Sequence, residues 1–281
     1  MVTPVLVIHG GAGSKAPTKE QRRIYYASLK RILDDVYPHL LRGESAVKCA
    51  VLAVELLEND PLYNAGKGSK IQSDGKIRMS ASLMDGHKRR FSGCVNVEGV
   101  KNPIRLAEAL QNKEDRVLGG RGARAFAKEI GLEFASPYTK KAREQFRARL
   151  SGKTGTVGAV VLDKKGHLAS ATSTGGRVFE YPHRVSDSPT TAGNYANRSC
   201  AVSATGIGEH IVDFAVASTI CTLVEAGQPL SECARRLIRK ARREDAGFGF
   251  IALDRSGHIE TLTATECLIW ASMSRDGARM F

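Results

Sequence analysis

The sequence lacks the features that mark several large classes of protein. None of its apolar runs approaches the roughly 18 residues that cross a membrane. Residues 1–13 have no basic segment before their short apolar run, so we expect a strand there and no signal peptide. The six cysteines are scattered without a C-x-x-C pair. This spacing argues against a zinc site and favours reduced thiols in a cytoplasmic protein.

Aromatic residues are also scarce, at 6% of the chain, and they form no stacking motif of the kind that binds RNA. This scarcity matters because the net charge is +13, and residues 1–155 hold 28 Lys and Arg against 16 Asp and Glu. A basic half can indicate a nucleic-acid partner. Here the cations are spread over predicted helices and are densest from Lys140 to Lys153. We therefore favour a solvated basic surface or a flexible linker, about 136–155, over a nucleic-acid site.

The remaining composition is that of a globular protein, with 42% hydrophobic and 25% charged residues in a chain of 281. We treat it as a single domain, and hydrophobic periodicity predicts a mixed α+β fold. Strands are expected at 5–9, 77–84, 91–98, 156–163, 168–173, 200–205, 248–254 and 259–265, and helices at 18–41, 44–59, 103–111, 120–131, 139–150, 208–226 and 229–243. Two groups of strands with helices segregated around them indicate layered sheets rather than alternating βαβ units.

Two glycine-rich segments come close to nucleotide-binding motifs without completing them. Gly152-Lys153-Thr154 is similar to the end of a phosphate-binding loop, but Arg147 stands where the first glycine of that loop belongs. Gly206 and Gly208 open a predicted helix after a strand, yet Ile211 replaces the third glycine of the dinucleotide motif. The histidines show no metal-ligand spacing either. We therefore expect neither an organic cofactor nor a transition metal.

A threonine directly after a glycine opens one of the predicted buried strands, where Gly155 precedes Thr156 in GTVGAVVLD. If the bond between them is cut, Thr156 gains a free α-amine with a pKa of about 8 beside its own hydroxyl. That amine can act as the general base for the hydroxyl, which is the N-terminal-threonine form of a nucleophile and its base. Gly155 permits backbone conformations that suit a strained self-attack. The sequence therefore predicts a self-cleaving threonine nucleophile.

Six segments in order carry a resemblance to a known family: VIHGGAG at 7–13, YNAGKGSKIQSDGKIRMSASLMDG at 63–86, GTVGAVVLD at 155–163, ATSTGG at 171–176, RVSDSP at 184–189 and SATGIGE at 203–209. With them the chain resembles the plant-type asparaginase and isoaspartyl peptidase family from about residue 4 to 260. The resemblance implies the N-terminal-nucleophile hydrolase fold, a four-layer αββα sandwich of antiparallel sheets. It also implies autocleavage between Gly155 and Thr156 into an α subunit (1–155) and a β subunit (156–281), and assembly as a dimer of αβ units.

The same resemblance implies hydrolysis of L-asparagine and of β-aspartyl dipeptides, with a role for each matching residue. Thr156 corresponds to the nucleophile and Thr174 to the residue that orients it. The Thr205 hydroxyl and the Gly206 N–H correspond to the oxyanion hole, and Asn64 to an asparagine near the nucleophile. The substrate-binding positions are Arg184, Val185, Ser186, Asp187, Thr205, Gly206, Ile207 and Gly208. A sodium ion held by main-chain carbonyls is implied at Leu57, Glu58, Asp60, Tyr63, Ala65 and Lys67.

Within this set, Arg184 and Asp187 have a clear chemical reason to act together. The amino-acid end of the substrate is a zwitterion, so a site that binds it needs one fixed cation and one fixed anion. The resemblance gives Arg184 the α-carboxylate, which a guanidinium grips with two hydrogen bonds. It gives Asp187 the α-ammonium, with help from the Gly208 carbonyl.

The sequence departs from the family pattern at several positions, and other functions stay open. Ser186 replaces a glycine, the segment 190–194 is one residue short, Met79-Ser80-Ala81-Ser82 replaces M-D-A-S, and 263–267 lacks the expected C-terminal motif. One alternative is a threonine endopeptidase or a glycosylasparaginase relative with a larger substrate. Another is a homologue that never matures and binds amino acids or nucleic acid.

Overall fold

The structure is a computed structural model that describes residues 2–13, 15–148 and 155–281. The strands in these ranges are β1 Val5–Gly13, β2 Met79–Asp85, β3 Arg90–Val97, β4 Val117–Gly119, β5 Val157–Leu162, β6 Leu168–Thr174, β7 Asn194–Ala196, β8 Cys200–Gly206, β9 Phe248–Asp254, β10 Ile259–Thr263, β11 Cys267–Ser274 and β12 Gly277–Met280. The helices are α1 Lys19–Leu41, α2 Ala46–Asn59, α3 Pro103–Leu110, α4 Gly120–Glu129, α5 Lys140–Arg147, α6 Gly208–Asp213, α7 Val216–Glu225 and α8 Leu230–Arg243, with a short 3₁₀ turn at Gly66–Gly68. The predicted mixed α+β fold is confirmed.

These strands form two sheets. The larger has the order β12-β11-β1-β5-β6-β2-β3-β4, and the smaller has the order β10-β9-β8-β7. Neighbouring strands pair antiparallel except β3 and β4, which run parallel. Because β5 lies between β1 and β6, its first residues are set beside the glycine-rich end of β1 and the last residues of β6.

Side chains alternate along the strands and divide the core into separate clusters, as the period of two requires. On β1, Leu6 and Ile8 pack with residues of α1, α2 and α3, whereas Val5 and Val7 face β8 and β9 of the smaller sheet. On β9, Phe248 and Phe250 pack against α7 and α8. The larger sheet is therefore covered by helices on one face and by the smaller sheet on the other.

Toward one end of the layer between the sheets, the apolar side chains give way to polar ones. His9, Thr172 and Ser203 are all fully buried in this layer. The Nε2 atom of His9 lies 2.8 Å from the Ser203 hydroxyl, which lies 2.7 Å from that of Thr172. These contacts tie β1 and β6 of the larger sheet to β8 of the smaller one directly beneath the candidate site.

Some predicted elements differ from the structure. The single helix predicted at 208–226 is wrong, because Ala215 adopts a left-handed conformation (φ +45°) that separates α6 from α7. Strands β4, β7, β11 and β12 were not predicted from the sequence. The helix predicted at 139–150 is α5, which ends at Arg147. Residues 149–154, including the segment Gly152-Lys153-Thr154, lie outside the described residues.

The basic linker predicted at 136–155 contains regular structure in its described part. Helix α5 buries Ala142, and the ring of Phe146 stacks on Phe179 with 5.0 Å between centroids. This part of the linker is therefore docked on the chain rather than free. No helix in the described ranges has the length and hydropathy needed to cross a membrane.

Candidate active site

The side chains of two threonines meet where β5 begins and β6 ends. Thr156 is 5% exposed, and its hydroxyl donates a 3.3 Å hydrogen bond to the hydroxyl of Thr174. The antiparallel pairing of Val157 with Ser173 sets this contact, because it brings the start of one strand beside the end of the other. The structure thus brings together the predicted nucleophile and the predicted orienting residue.

The carbonyl of Gly155, which precedes Thr156, is held by two donors. Asn64 Nδ2 donates to it at 2.6 Å, and Thr174 Oγ1 at 3.3 Å. Gly11 lies against the same peptide: a Cβ at Gly11 would be 3.3 Å from the Gly155 Cα, and φ at Gly11 is +119°. Only a glycine fits at position 11, because the backbone there is left-handed and lies close to the Gly155–Thr156 bond.

The predicted oxyanion residues lie at the end of β8. The hydroxyl oxygen of Thr205 accepts a 3.2 Å hydrogen bond from the Ala12 N–H, so its own hydrogen can still be donated to a substrate oxygen. Gly206 has φ +141°, and a Cβ there would be 2.6 Å from the Gly247 carbonyl oxygen. Gly206 lines the same cleft as Thr156.

Arg184 and Asp187 converge at the start of α6. A Cβ at Gly208 would lie 2.7 Å from Arg184 Nη2 and 2.8 Å from Asp187 Oδ1, so the cation and the anion both lie over the bare backbone of this glycine. Both side chains line the cleft that contains Thr156. A guanidinium and a carboxylate beside one glycine can bind the two ends of a zwitterion.

The carboxyl of Asp187 is unusual because it is buried and incompletely paired. Asp187 is 2% exposed, and its Oδ2 atom has no hydrogen-bond partner among the described residues. Burial raises its pKa to about 7, although the nearby charge of Arg184 opposes this rise. Burying a carboxylate with one oxygen unpaired is unfavourable, and a ligand ammonium beside it would supply a compensating charge.

The guanidinium of Arg184 is fixed by two carboxylates to which the sequence analysis gave no role. Its Nε and Nη2 atoms donate to the two oxygens of Glu209 at 2.7 and 2.8 Å, and Nη1 donates to Glu180 at 3.0 Å. The hydrogen bonds from Arg184 lower the pKa of Glu209 to about 2. Within the described residues these bonds use three of the five N–H donors, which leaves one on each terminal nitrogen for a substrate carboxylate.

The other predicted substrate-binding residues contribute less to the cleft. Ser186 lines it between Arg184 and Asp187. Val185 is 55% exposed, and its side chain does not line the cleft among the described residues. The Ile207 side chain lies against Gly247, where a Cβ would be 3.2 Å from Ile207 Cδ1. Any role for Val185 and Ile207 in binding would therefore fall to their main chains.

His9 is a further residue near the site that the sequence analysis left without a role. Complete burial lowers its pKa to about 3. The imidazole is therefore neutral near pH 7, and its side-chain contact is with the Ser203 hydroxyl. The only sign in the sequence that His9 lies near the site was its place in the VIHGGAG segment, because the residue that it contacts, Ser203, is distant in sequence.

The predicted sodium loop spans the last turn of α2 and the turn after it, where two glycines lie against main-chain carbonyl oxygens. A Cβ on Gly66 would overlap the carbonyl oxygen of Glu58, and one on Gly68 would overlap that of Tyr63. The Glu58 side chain is turned elsewhere, because it accepts hydrogen bonds from Ser173 at 2.6 Å and from the Ile104 N–H at 3.1 Å. Main-chain oxygens crowded inside a glycine-rich turn fit a hard cation such as sodium.

Comparison with known proteins gives matches over almost the whole chain. The asparaginase family profile matches residues 2–281. An isoaspartyl peptidase/L-asparaginase of Synechocystis sp. is 42% identical over 277 residues, which cover 92% of this chain and 84% of the relative. A plant-type L-asparaginase of Pyrobaculum calidifontis is 42% identical over 225 residues (74% and 75%). An isoaspartyl peptidase of Escherichia coli is 37% identical over 289 residues (93% and 90%). The chain belongs to the asparaginase family of hydrolases.

Proposed function

We propose that this protein is a self-processing amidohydrolase that cleaves the side-chain amide of L-asparagine and the isopeptide bond of β-aspartyl dipeptides. The observation that carries this proposal is the buried, incompletely paired carboxyl of Asp187, which lies beside Arg184 in the cleft that contains Thr156. This arrangement offers an α-amino acid end one cation and one anion next to a nucleophilic hydroxyl. The names of the relatives give the same two substrate classes.

The first reaction is cleavage of the chain itself. The Thr156 hydroxyl attacks the Gly155 carbonyl carbon, and the bond to the Thr156 nitrogen breaks, which leaves an ester on the hydroxyl and frees the α-amine. Water then hydrolyses this ester and gives a new carboxylate on Gly155. The hydrogen bonds of Asn64 and Thr174 to the Gly155 oxygen support this step, because that oxygen becomes negatively charged during the attack.

The second reaction uses the α-amine that the first one released. The amine takes the proton of the Thr156 hydroxyl, and the oxygen attacks the side-chain carbonyl carbon of the substrate. The Thr205 hydroxyl and the Gly206 N–H stabilise the developing oxyanion. The protonated amine then gives its proton to the leaving nitrogen, so that ammonia or an amino acid departs. Water hydrolyses the resulting aspartyl ester, which releases L-aspartate and restores Thr156.

Substrate selection follows from the two fixed charges beside Gly208. Arg184 binds the α-carboxylate with the two N–H groups that its carboxylate partners leave, and Asp187 binds the α-ammonium. L-Asparagine and β-aspartyl dipeptides share this end and differ only in the leaving amine. An α-linked aspartyl peptide has no free α-carboxylate, so it cannot satisfy Arg184.

The finer architecture and assembly belong to the same proposal. We regard the two sheets and their helices as a single domain with the four-layer αββα arrangement, and the three core clusters support this view. The mature protein would contain the subunits 1–155 and 156–281 in a dimer of αβ units. The six free thiols support a cytoplasmic location. We further propose one structural sodium ion in the 57–67 loop and no organic cofactor.

Three substrates test the proposed activity. Enzyme that has been allowed to self-cleave is incubated with L-asparagine, β-Asp-Leu or α-Asp-Leu, and ammonia or leucine is measured. We expect hydrolysis of the first two and at least about a hundredfold lower kcat/KM for α-Asp-Leu, since it loses a charge-assisted contact worth about 3 kcal/mol. Comparable turnover of the two peptides would show that Arg184 does not select the amino-acid end.

A further inference from the structure

A second arginine, Arg177, lines the same cleft as Thr156 and Arg184. Its side chain is 34% exposed, whereas that of Arg184 is 13% exposed. Arg177 therefore lies nearer to the rim of the cleft. Among the described residues, only one of its five side-chain N–H donors makes a hydrogen bond, so donors remain for a ligand.

Two glutamates that hold Arg184 also hold Arg177. The Arg177 main-chain N–H donates to Glu180 Oε2 at 3.0 Å, and its Nη2 atom donates to Glu209 Oε1 at 3.2 Å. The same Glu209 oxygen accepts the 2.7 Å hydrogen bond from Arg184 Nε. The two guanidinium groups are therefore joined through a single carboxylate oxygen. Arg184 faces the inner part of the cleft, and Arg177 lies nearer the rim.

The chain just before Arg177 adjoins the reacting centre. Asn64 Nδ2 donates at 2.6 Å to the Gly176 carbonyl oxygen and, also at 2.6 Å, to the Gly155 carbonyl oxygen. The single side-chain amide of Asn64 thus bridges Gly176 and the bond that Thr156 attacks. Arg177 follows Gly176 directly, and its side chain lines the cleft. Its guanidinium is therefore placed to meet the leaving group of an amide that reacts with Thr156.

The two proposed substrate classes differ in one charged group at this position. A β-aspartyl dipeptide carries a second carboxylate, at the C-terminus of the leaving residue, and L-asparagine does not. We propose that Arg177 binds this C-terminal carboxylate and thereby favours β-aspartyl dipeptides over substrates without it. The inference rests on the proposed function, because it takes Arg184 and Asp187 as the site for the amino-acid end.

The test compares two substrates that differ only in that carboxylate, β-Asp-Leu and its C-terminal amide. Both have the same scissile bond and the same amino-acid end, so the ratio of their kcat/KM values isolates the carboxylate. For the mature wild-type enzyme we expect a ratio of about ten in favour of the free acid, the fold-change for the lower range of a hydrogen bond to a charged group. Arg177→Gln should bring the ratio to about one, and Arg177→Lys should retain part of it because the charge stays.

A matched control removes the same charge elsewhere. Arg235 is exposed on α8 and does not line the cleft among the described residues. Arg235→Gln should therefore keep the wild-type ratio, and a ratio that falls in this variant as well would overturn the inference. So would a wild-type ratio near one.

Two further outcomes separate failure of this inference from failure of the proposed function. If Arg177→Gln lowers kcat/KM for the acid and the amide by the same factor, Arg177 only positions Glu209 and Arg184, and the inference is wrong while the hydrolase stands. If the mature wild-type enzyme hydrolyses L-asparagine but neither dipeptide, the inference is wrong as well. If it hydrolyses none of these substrates, the proposed function itself fails.

Discussion

The side-chain nitrogen of Asn64 lies 2.6 Å from the carbonyl oxygen of Gly155, although 91 residues separate them in sequence. This oxygen belongs to the bond that we propose is cut during maturation. Thr205 and Gly206, which are proposed to stabilise the oxyanion of a bound substrate, lie at the end of β8 in the smaller sheet, whereas Asn64 lies in the turn after α2. The two proposed reactions of Thr156 therefore use different oxyanion donors, and they can be separated by mutation.

The first prediction concerns self-cleavage. Asn64→Ala should slow the appearance of the two fragments by about a hundredfold or more, the usual effect of removing one oxyanion donor. Fragment formation on a denaturing gel, followed over time after expression or refolding, measures the rate. Asn112 is exposed and remote from this contact, so Asn112→Ala should cleave at the wild-type rate. Unchanged cleavage in Asn64→Ala would mean that its hydrogen bond to Gly155 has no part in the reaction.

The second prediction concerns pH. Burial raises the pKa of Asp187 to about 7, and only its ionised form attracts the substrate ammonium. The value of kcat/KM should therefore rise with pH through about 7. Asp187→Asn should lower kcat/KM and remove this inflection, while any inflection from the Thr156 amine, about pH 8, remains. An unchanged inflection near pH 7 in Asp187→Asn would assign it to another group.

The same carboxyl should also affect stability, with a sign fixed by its raised pKa. The unfolded chain releases this proton near the ordinary aspartate pKa, about 4, whereas the folded chain holds it to about pH 7. Ionised Asp187 therefore destabilises the folded protein as pH rises across this interval. Asp187→Asn should raise the thermal midpoint more at pH 8 than at pH 5. Equal shifts at the two pH values would contradict the raised pKa.

How far the fold could be predicted depended on the length and pattern of each element. The long apolar faces of α1 and α2 and the buried run of β5 gave clear signals. Strands β4 and β7 have only three residues each, too few for a period of two to be recognised. Strand β11 pairs with β1 at the other end of the chain, and the break between α6 and α7 depends on an alanine, which rarely adopts positive φ.

The site was only partly accessible from sequence for a related reason. Thr156 could be proposed from its own chemistry and from the resemblance. The carboxylates of Glu180 and Glu209 gave no such signal, since their role depends on where Arg184 meets them in space. The unpaired oxygen of Asp187 likewise depends on burial and on missing donors. The roles assigned to these residues stay predictions until variants are measured.

The third prediction concerns Arg184. Arg184→Ala should lower kcat/KM for L-asparagine by about a hundredfold, because a charge-assisted contact with two hydrogen bonds is lost. The control substrate is 3-aminopropanamide, which is asparagine without its α-carboxylate. Its already low kcat/KM should change little in the same variant. Equal losses for both substrates would mean that Arg184 supports the site without binding the carboxylate.

The fourth prediction concerns sodium. If carbonyl oxygens of the 57–67 loop hold the ion, the thermal midpoint should be higher in sodium chloride than in tetramethylammonium chloride at equal ionic strength, since a bound ion stabilises the folded state. Gly68→Ala should remove this difference, because its Cβ would occupy the space of the Tyr63 carbonyl oxygen. Gly122 has open space around it, so Gly122→Ala should keep the difference. Identical midpoints of the wild type in the two salts would rule out the site.

Intact-mass spectrometry of the purified wild type and of Thr156→Ala tests the central claim most directly. The wild type should give two fragments whose masses sum to that of the whole chain plus one water, the second beginning at Thr156. Thr156→Ala should stay a single chain without amidase activity, while Thr222→Ala, an exposed threonine on α7, should be cut like the wild type. Cleavage of Thr156→Ala at the same bond, or an uncut wild type that hydrolyses β-Asp-Leu, would contradict the proposal that Thr156 is a self-released nucleophile.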